Sequence, residues 1–219
     1  MIPPGYSLEN PYDSQYKDDK NINLVEPYLL KFLKPFYKTV LDLGCGEGRS
    51  SEPLAKISGM LYCTDPSLPG LKLLKKRKEN KSLENIILLL SISESLPFPD
   101  GYFDLVASIT VIEHISNPIP MLKEVRRVLR SNGEFLIRND AKMYGILERL
   151  RICRGKWGRR PDATHINMIT PAKLRKLLES QGFKIIDKAY FPFVRYSKML
   201  NLDLLSAFAT KGQFLCRIE

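Results

Sequence analysis

Two stretches of the sequence carry residues suited to binding a nucleotide-like ligand. One is the loop Gly44-Cys45-Gly46-Glu47-Gly48, and the other is Asp65, about twenty residues further on. Glycines let main-chain N–H groups approach a ligand closely, and a carboxylate after a strand can accept both hydroxyls of a ribose. Asp65 is also a candidate helix cap, because Pro66-Ser67 follows. The GxGxG spacing differs from the GxGxxG of dinucleotide sites, so no pyrophosphate cradle is expected.

The histidines and cysteines indicate which metal-binding, redox and acid–base roles the chain can have. The four cysteines are Cys45, Cys63, Cys153 and Cys216. They form no CxxC pair and the chain has only two histidines, so reduced thiols, no metal site and no disulfide scaffold are expected. His114 is a candidate general base, because an imidazole titrates near neutral pH, or a residue that holds a loop by hydrogen bonds. His165 is a candidate substrate contact, with loop ordering as the alternative.

Alternating strands and helices must position these residues. Strands are predicted over residues 39–43, 60–64, 86–90, 103–109, 134–139, 183–189 and 213–218. Helices are predicted over residues 25–33, from Ser50 or Ser51 to about 58, 70–81, 118–130, and from Thr170-Pro171 to Gly182. This alternation indicates an α/β fold with a mostly parallel sheet. The long connection over residues 190–211 indicates that the last strand inserts antiparallel, and Asn132-Gly133 is predicted to end the helix over 118–130 in a left-handed cap.

Several motifs, in order, resemble those of class I S-adenosylmethionine-dependent methyltransferases, in the small-molecule branch called type 11. The matching stretches are residues 40–48, 63–65, 94–104, 111–114 and 124–130, with Thr170-Pro171, Leu174 and Gly182-Phe183. The resemblance covers residues 38–139 closely and 164–189 more loosely. It implies one methyltransferase domain over residues 1–219, with a Rossmann-like seven-stranded sheet flanked by helices and S-adenosylmethionine as cofactor.

The resemblance also implies roles for individual residues. Gly44, Gly46 and the backbone of Cys45 would cradle the methionine part of the cofactor, and Asp42 would orient the loop or reach the cofactor ammonium. Asp65 would hold the ribose, and Pro66 would pack on the adenine. Ile92 stands where the family has an acid for the adenine amino group, so backbone groups or Glu94 replace that acid or the affinity is lower. The implied cofactor-binding residues are Asp42, Gly44, Cys45, Gly46, Asp65, Pro66, Ile92, Ser93 and Thr110.

The substrate side is expected in the least regular segments. Residues 1–23 are interpreted as an arm or lid, and residues 140–168 as a substrate-side insertion. Tyr16 and Trp157 are predicted walls of the acceptor pocket. Between residues 149 and 160 there are six cations and no acid: Arg149, Arg151, Arg154, Lys156, Arg159 and Arg160. This segment, in a chain of net charge +10, indicates an anionic acceptor, RNA or a solvated basic surface.

The expected function is transfer of a methyl group from S-adenosylmethionine to an O, N or C atom of a small molecule. A tRNA- or RNA-modifying methyltransferase is less favoured, because no RNA-binding motif accompanies the charge. A non-catalytic cofactor-binding protein on the same fold is the third hypothesis. No apolar run approaches the roughly eighteen residues needed to span a bilayer, and no secretion signal opens the chain. A soluble cytoplasmic protein without integral membrane association is therefore expected.

Overall fold

The computed structural model describes residues 31–140, 165–191 and 211–218. The strands are β1 (Tyr37–Leu43), β2 (Ser58–Asp65), β3 (Ile86–Leu90), β4 (Phe103–Ile109), β5 (Leu129–Asp140), β6 (Phe183–Phe191) and β7 (Lys211–Ile218). The α-helices are α1 (Ser51–Ala55), α2 (Leu68–Asn80), α3 (Ile119–Val128) and α4 (Pro171–Ser180), and Ile112–His114 forms one 3-10 turn. Tyr16, Trp157, the arm over 1–23 and the basic segment over 149–160 lie outside the described residues, as does most of the insertion over 140–168.

The strands form a seven-stranded sheet in the order β3-β2-β1-β4-β5-β7-β6. β1 is parallel to β2 and β4, β2 is parallel to β3, and β7 is antiparallel to β6. The predicted fold class is confirmed, including the antiparallel insertion of the last strand. Leu43 is in register with Thr64 of β2 and Ser108 of β4. The loops that follow these three strands therefore leave the sheet at the same edge, where ligands bind in open parallel sheets.

The chain divides into two compact units. Among the described residues, the first comprises 31–109 and 119–135, and the second comprises 110–118, 136–140, 165–191 and 211–218. Fully buried side chains of the first unit include Val40, Leu41, Leu61, Phe103 and Leu105. Those of the second include Ile137, Leu174, Leu178, Tyr190 and Phe214. Each unit thus has an apolar core of its own. None of the helices in the described ranges combines the length and apolar character needed to traverse a bilayer.

Two helices begin as their sequences predict. The hydroxyl of Ser67 accepts a hydrogen bond from the Gly70 N–H at 3.2 Å and caps α2. Thr170 caps α4 in the same way, through the Lys173 N–H at 3.3 Å. A short hydroxyl side chain satisfies an N–H group that has no partner inside the helix. Gly182, with φ 76°, follows α4 and ends it in the left-handed conformation, as predicted.

Two predicted helix ends are wrong. α1 ends at Ala55 rather than near residue 58, because β2 already begins at Ser58. α3 ends at Val128, and Asn132-Gly133 lies inside β5 instead of forming a helix cap. A Cβ on Gly133 would lie 2.9 Å from the Arg130 carbonyl oxygen and 3.0 Å from that of Phe103. Close backbone approach, and not a left-handed turn, therefore requires this glycine.

Arg127 of α3 ties down the loop between β3 and β4. Its guanidinium donates to both carboxylate oxygens of Glu124 at 2.7 Å and to one carboxylate oxygen of Asp100 at 2.9 Å. It also donates to the carbonyl oxygens of Phe98 and Leu96, at 2.7 and 3.1 Å. The fixed fork of an arginine suits this pattern, which a lysine ammonium cannot reproduce. One side chain thus organises the loop that the resemblance singled out over residues 94–104.

Candidate functional site

The loop after β1 is a tight bend held against the end of β2. The N–H groups of Gly44 and Cys45 both donate to the Thr64 carbonyl oxygen, at 2.8 and 3.0 Å. Gly44 has φ 73° and Gly46 has φ 52°, in the left-handed region that residues with a side chain rarely adopt. Glycine at both positions is therefore a requirement of the bend. The two predicted glycines thus shape the loop that follows β1.

Asp65 links this bend to the loop after β2. Its Oδ2 accepts the Gly46 N–H at 2.7 Å, and its Oδ1 accepts the Ser67 N–H at 2.8 Å. The structure thus brings together the two motifs whose combination suggested a nucleotide-like ligand. Ser67, not Asp65, is the N-cap of α2, so the capping alternative does not describe Asp65. A carboxylate offers about four acceptor positions, so one side chain can accept from main-chain N–H groups and from the hydroxyls of a ligand.

Asp42 lies under the bend at the end of β1 and is almost completely buried. Both of its carboxylate oxygens accept the Ser50 hydroxyl, at 3.0 and 2.9 Å, and Oδ2 accepts the Ser51 hydroxyl at 2.6 Å. Burial raises the pKa of Asp42 to about 6, the two hydroxyls act in the opposite direction, and the charge of Asp65 raises the pKa further. These contacts favour the loop-orienting role of Asp42 over contact with the cofactor ammonium.

Ser50 and Ser51 are site residues, although their sequence positions predict only helix caps. Ser50 does occupy the N-cap position of α1, but its side chain makes no capping hydrogen bond. Both serines are buried, and their hydroxyls are directed to Asp42 instead. The sequence does contain a signal for this role. Two adjacent serines come shortly after the glycine loop, and the loop itself follows an aspartate near the end of β1.

The side chain of Cys45 is unsuited to a chemical role, so only the predicted role of its backbone stays open. Its side chain is buried, and burial, followed by a hydrogen bond with Cys63, raises the pKa of its thiol. A buried thiol with a raised pKa is a poor nucleophile, because the thiolate is the reactive form. Cys45, Cys63 and Cys216 are free thiols in the structure, while Cys153 lies outside the described residues.

The loop after β3 holds Ile92 and Ser93, both half-buried. Ser91 donates its N–H to the Asp65 carbonyl oxygen at 3.2 Å, which ties this loop to the end of β2. The Ser93 hydroxyl donates to the exposed Glu94 carboxylate at 2.8 Å. An apolar side chain thus stands in the loop after β3, at the position where the resemblance expects an acid. The cofactor contacts of Ile92, Ser93 and Pro66 stay predictions.

The two histidines meet in the second unit. Their imidazole centroids are 4.7 Å apart, with ring planes inclined by 60°. His114 ends the 3-10 turn that follows β4, next to the fully buried Glu113. This turn opens at Thr110, whose φ of 57° is unusual for a β-branched residue and whose N–H donates to the Arg138 carbonyl oxygen at 2.9 Å. The structure therefore places both predicted histidines in one cluster.

The residues around the bend fit an adenosyl ligand with an amino-acid tail. The bend carries no side chain at Gly44 and Gly46, which lets a ligand approach the backbone closely, and Asp65 supplies a carboxylate of the kind that accepts ribose hydroxyls. The hydroxyls of Thr64 and Ser108 are buried at the ends of the strands flanking β1, without a hydrogen-bond partner in the ranges the structure describes. Buried polar groups are normally paired, so such hydroxyls suit a site that a polar ligand completes.

The strand order, the glycine bend after β1 and the carboxylate after β2 agree with the resemblance to class I S-adenosylmethionine-dependent methyltransferases, and the comparisons with known proteins support it. Residues 41–137 match the family model described as a methyltransferase domain.

One similar protein is the ubiquinone biosynthesis O-methyltransferase of Ruegeria sp., 29% identical over 159 residues, which are 70% of this chain and 63% of that protein. The chain therefore spans less than two thirds of the length of that relative. A solved S-adenosylmethionine-dependent methyltransferase from Aquifex aeolicus is 18% identical, with a TM-score of 0.64 and 88% of each chain covered. A solved structure titled the [4+2]-cyclase SpnF is 15% identical, with a TM-score of 0.64, over 87% of this chain and 79% of that one. At these identities the structures establish the shared fold alone.

Proposed function

We propose that this protein transfers a methyl group from S-adenosylmethionine to an oxygen atom of a small-molecule acceptor. The observation that carries the proposal is the hydrogen bond from the Gly46 N–H to the Asp65 carboxylate, which joins the acid predicted to hold the ribose to the glycine bend. The family match over residues 41–137 supports methyl transfer. Oxygen is preferred over nitrogen or carbon because the Ruegeria relative is named an O-methyltransferase.

The cofactor would be held by residues of the first unit. The amino-acid part of the cofactor would lie against the side-chain-free backbone of Gly44 and Gly46, Asp65 would accept the ribose hydroxyls, and Asp42 would keep the bend in shape through Ser50 and Ser51. Pro66, Ile92 and Ser93 complete the proposed lining in this unit, and the cofactor contact of Thr110 stays a prediction. When bound, the cofactor supplies a methyl group already activated by a positively charged sulfur.

The remaining task of the protein is to position the acceptor and accept a proton. The acceptor oxygen must be held in line with the methyl group at about 3 Å. As the oxygen gains the methyl group, its hydroxyl proton must leave, and we assign that proton to an imidazole nitrogen of His114. Proton and methyl group then balance: the acceptor becomes a methyl ether, and the imidazole becomes an imidazolium that later releases its proton to water.

The acceptor proposal commits to a hydroxyl on an aromatic ring, because the relative acts in the biosynthesis of a quinone. Tyr16 and Trp157 stay predicted pocket walls, and the anionic-acceptor and RNA hypotheses rest on residues 149–160, all outside the described residues. A cytoplasmic site of action also belongs to the proposal, supported by the free thiols of Cys45, Cys63 and Cys216.

Calorimetry and a transfer assay test this function. We expect saturable binding of S-adenosylmethionine and of its demethylated product, and no binding of NAD, the control for a dinucleotide site. Labelled cofactor should then transfer its methyl group to catechol, used as a probe for ring hydroxyls, and to a fraction of a cell extract. Binding without transfer to either would favour the non-catalytic hypothesis, and transfer confined to an RNA fraction, with steep salt dependence, would favour the RNA hypothesis. Failure to bind either compound would refute the assignment.

A further inference from the structure

Two asparagine side chains fasten residues 165–170 to their neighbours in the second unit. Asn167 donates its main-chain N–H to the Glu113 carbonyl oxygen and its side-chain Nδ2 to the Ile115 carbonyl oxygen, both at 2.9 Å. Asn139 of β5 donates its Nδ2 to the Ile169 carbonyl oxygen at 2.9 Å. Asn167 therefore binds the carbonyl groups of the two residues on either side of His114, a pair of contacts that we call its grip on the turn.

The turn that Asn167 grips is itself firmly held. The His114 N–H donates to the Val111 carbonyl oxygen at 2.9 Å, and the Ile115 N–H donates to that of Ile112 at 3.2 Å. Thr110 keeps its left-handed conformation beside them. A β-branched residue in this region costs free energy, and such strain persists only where surrounding structure imposes it. The turn is therefore a fixed platform, and a residue that grips it transfers that rigidity to its own segment.

The consequence of this grip is the contact between the two imidazoles. His165 lies two residues before Asn167, so fixing Asn167 on the turn brings His165 to His114, with ring centroids 4.7 Å apart. Inclined rings direct the positive edge of one toward the electron-rich face of the other. The same contact stabilises a ring that takes up a proton, because a cation is attracted to an aromatic face.

We infer that Asn167 is a positioning residue that holds His165 against His114, so that the two imidazoles act as one pair when His114 takes the proton of the acceptor hydroxyl. This inference rests on the proposed methyl transfer. The proton moves from the acceptor oxygen to an imidazole nitrogen of His114, and His165 stabilises the resulting cation without taking part in a bond change. Asn167 touches neither proton donor nor acceptor and acts through the placement of His165.

The pair can be observed without any activity, because the chain contains only two histidines. Carbon–proton NMR correlations of the imidazole Cε1–H groups give one signal for each, and His165→Gln should displace the His114 signal by removing the neighbouring ring. Asn167→Asp removes the side-chain donor with almost no change in size and should move the His114 signal toward its position in the His165→Gln variant. Asn167→Gln keeps an amide donor and should move it less. A His114 signal unmoved by Asn167→Asp would overturn the inference.

Asn85→Asp is the matched control. The Asn85 amide also donates to two carbonyl oxygens, those of Ala55 at 2.9 Å and Ser58 at 2.8 Å, but in the first unit. This variant should lose stability while leaving both imidazole signals and the turnover number unchanged. If Asn167→Asp fails to fold, His165→Gln carries the test, because it leaves the Asn167 hydrogen bonds intact.

Turnover with catechol as the acceptor tests whether the histidine pair contributes to proton removal. Asn167→Asp and His165→Gln should each lower kcat about 10- to 100-fold with an unchanged KM for the cofactor, and Asn167→Gln should recover part of the loss. A wild-type kcat in Asn167→Asp, despite displaced imidazole signals, would overturn the inference. Lack of transfer by the wild-type protein is instead a failure of the proposed function, and the imidazole signals then decide the positioning role of Asn167 by themselves.

Discussion

Replacing Asp42 by asparagine should make the protein more stable at neutral pH and progressively less so as the solution becomes acidic. The wild-type carboxyl is buried, and its pKa is raised from 3.8 to about 6. A raised folded-state pKa means that the folded protein holds the proton more tightly than the unfolded chain. The stabilising contribution of protonated Asp42 is therefore complete below about pH 4 and is lost as the pH rises through about 6.

The size of the effect follows from the shift. About two pKa units correspond to about 3 kcal/mol of unfolding free energy between about pH 4 and pH 8. Asparagine does not titrate, so the variant does not incur this loss. Its amide oxygen can still accept one of the hydroxyls of Ser50 and Ser51, and the hydrogen bond it loses lowers stability by a similar amount at every pH. The difference in free energy between variant and wild type should therefore rise by about 3 kcal/mol over this range.

Urea unfolding of both proteins across the pH range measures that difference directly. Asp104→Asn is the control with the opposite sign: burial raises the pKa of Asp104, but hydrogen bonds from Thr39 and the charge of Arg130 outweigh it and lower the pKa overall. Asp104 therefore contributes stability that is present above the unfolded-state pKa and lost as the pH falls through the lower folded-state value. A variant-minus-wild-type difference for Asp42→Asn that is flat with pH would refute the burial argument. The variant should also bind S-adenosylmethionine more weakly, because the bend loses its support.

Three other substitutions test the packing. Gly48→Ala should lower the free energy of unfolding by about 2–4 kcal/mol, because its Cβ would lie 2.3 Å from the buried Leu74 Cδ1 at a φ of 90°. An unchanged urea midpoint would contradict this prediction. Arg127→Met should cost about 2–4 kcal/mol through the hydrogen bonds lost to Glu124 and the β3–β4 loop, and Arg127→Lys should not restore them in thermal unfolding. Thr110→Gly should raise the unfolding free energy by up to about 1 kcal/mol by relieving the left-handed backbone, whereas a clear loss would show that no strain is stored there.

Elements whose signals are local were predictable from the sequence. β3 and β4 have the predicted bounds, because each is a short apolar run between polar or turn-forming residues. α4 begins and ends as expected, because its hydroxyl cap at Thr170, its opening proline and the left-handed Gly182 act within a few residues of one another. The glycine bend and Asp65 were found for a related reason, since each directly follows a strand.

Features decided by distant residues were not predictable. Asn132-Gly133 has the composition of a helix cap, but the approach of the Phe103 carbonyl oxygen, thirty positions away in the sequence, makes it part of a strand. The hydrogen bonds from Ser50 and Ser51 to Asp42 depend on where α1 starts above the sheet. The grip of Asn167 on the turn at His114 joins residues separated by about fifty positions, a distance over which no sequence period operates.

The two main-chain N–H bonds of Asp65 have a practical consequence for anyone who needs an inactive version of this protein. The same carboxylate shapes the bend and would bind the ribose. If an Asp65 variant loses activity, the loss can therefore come from weaker cofactor binding or from a distorted glycine bend, and the assay does not tell the two apart. Such a variant is a poor choice as a catalytically dead reference. A substitution at His114 separates the two effects better, because His114 lies in the turn after β4 and the hydrogen bonds of Asp65 to the Gly46 and Ser67 N–H groups stay in place.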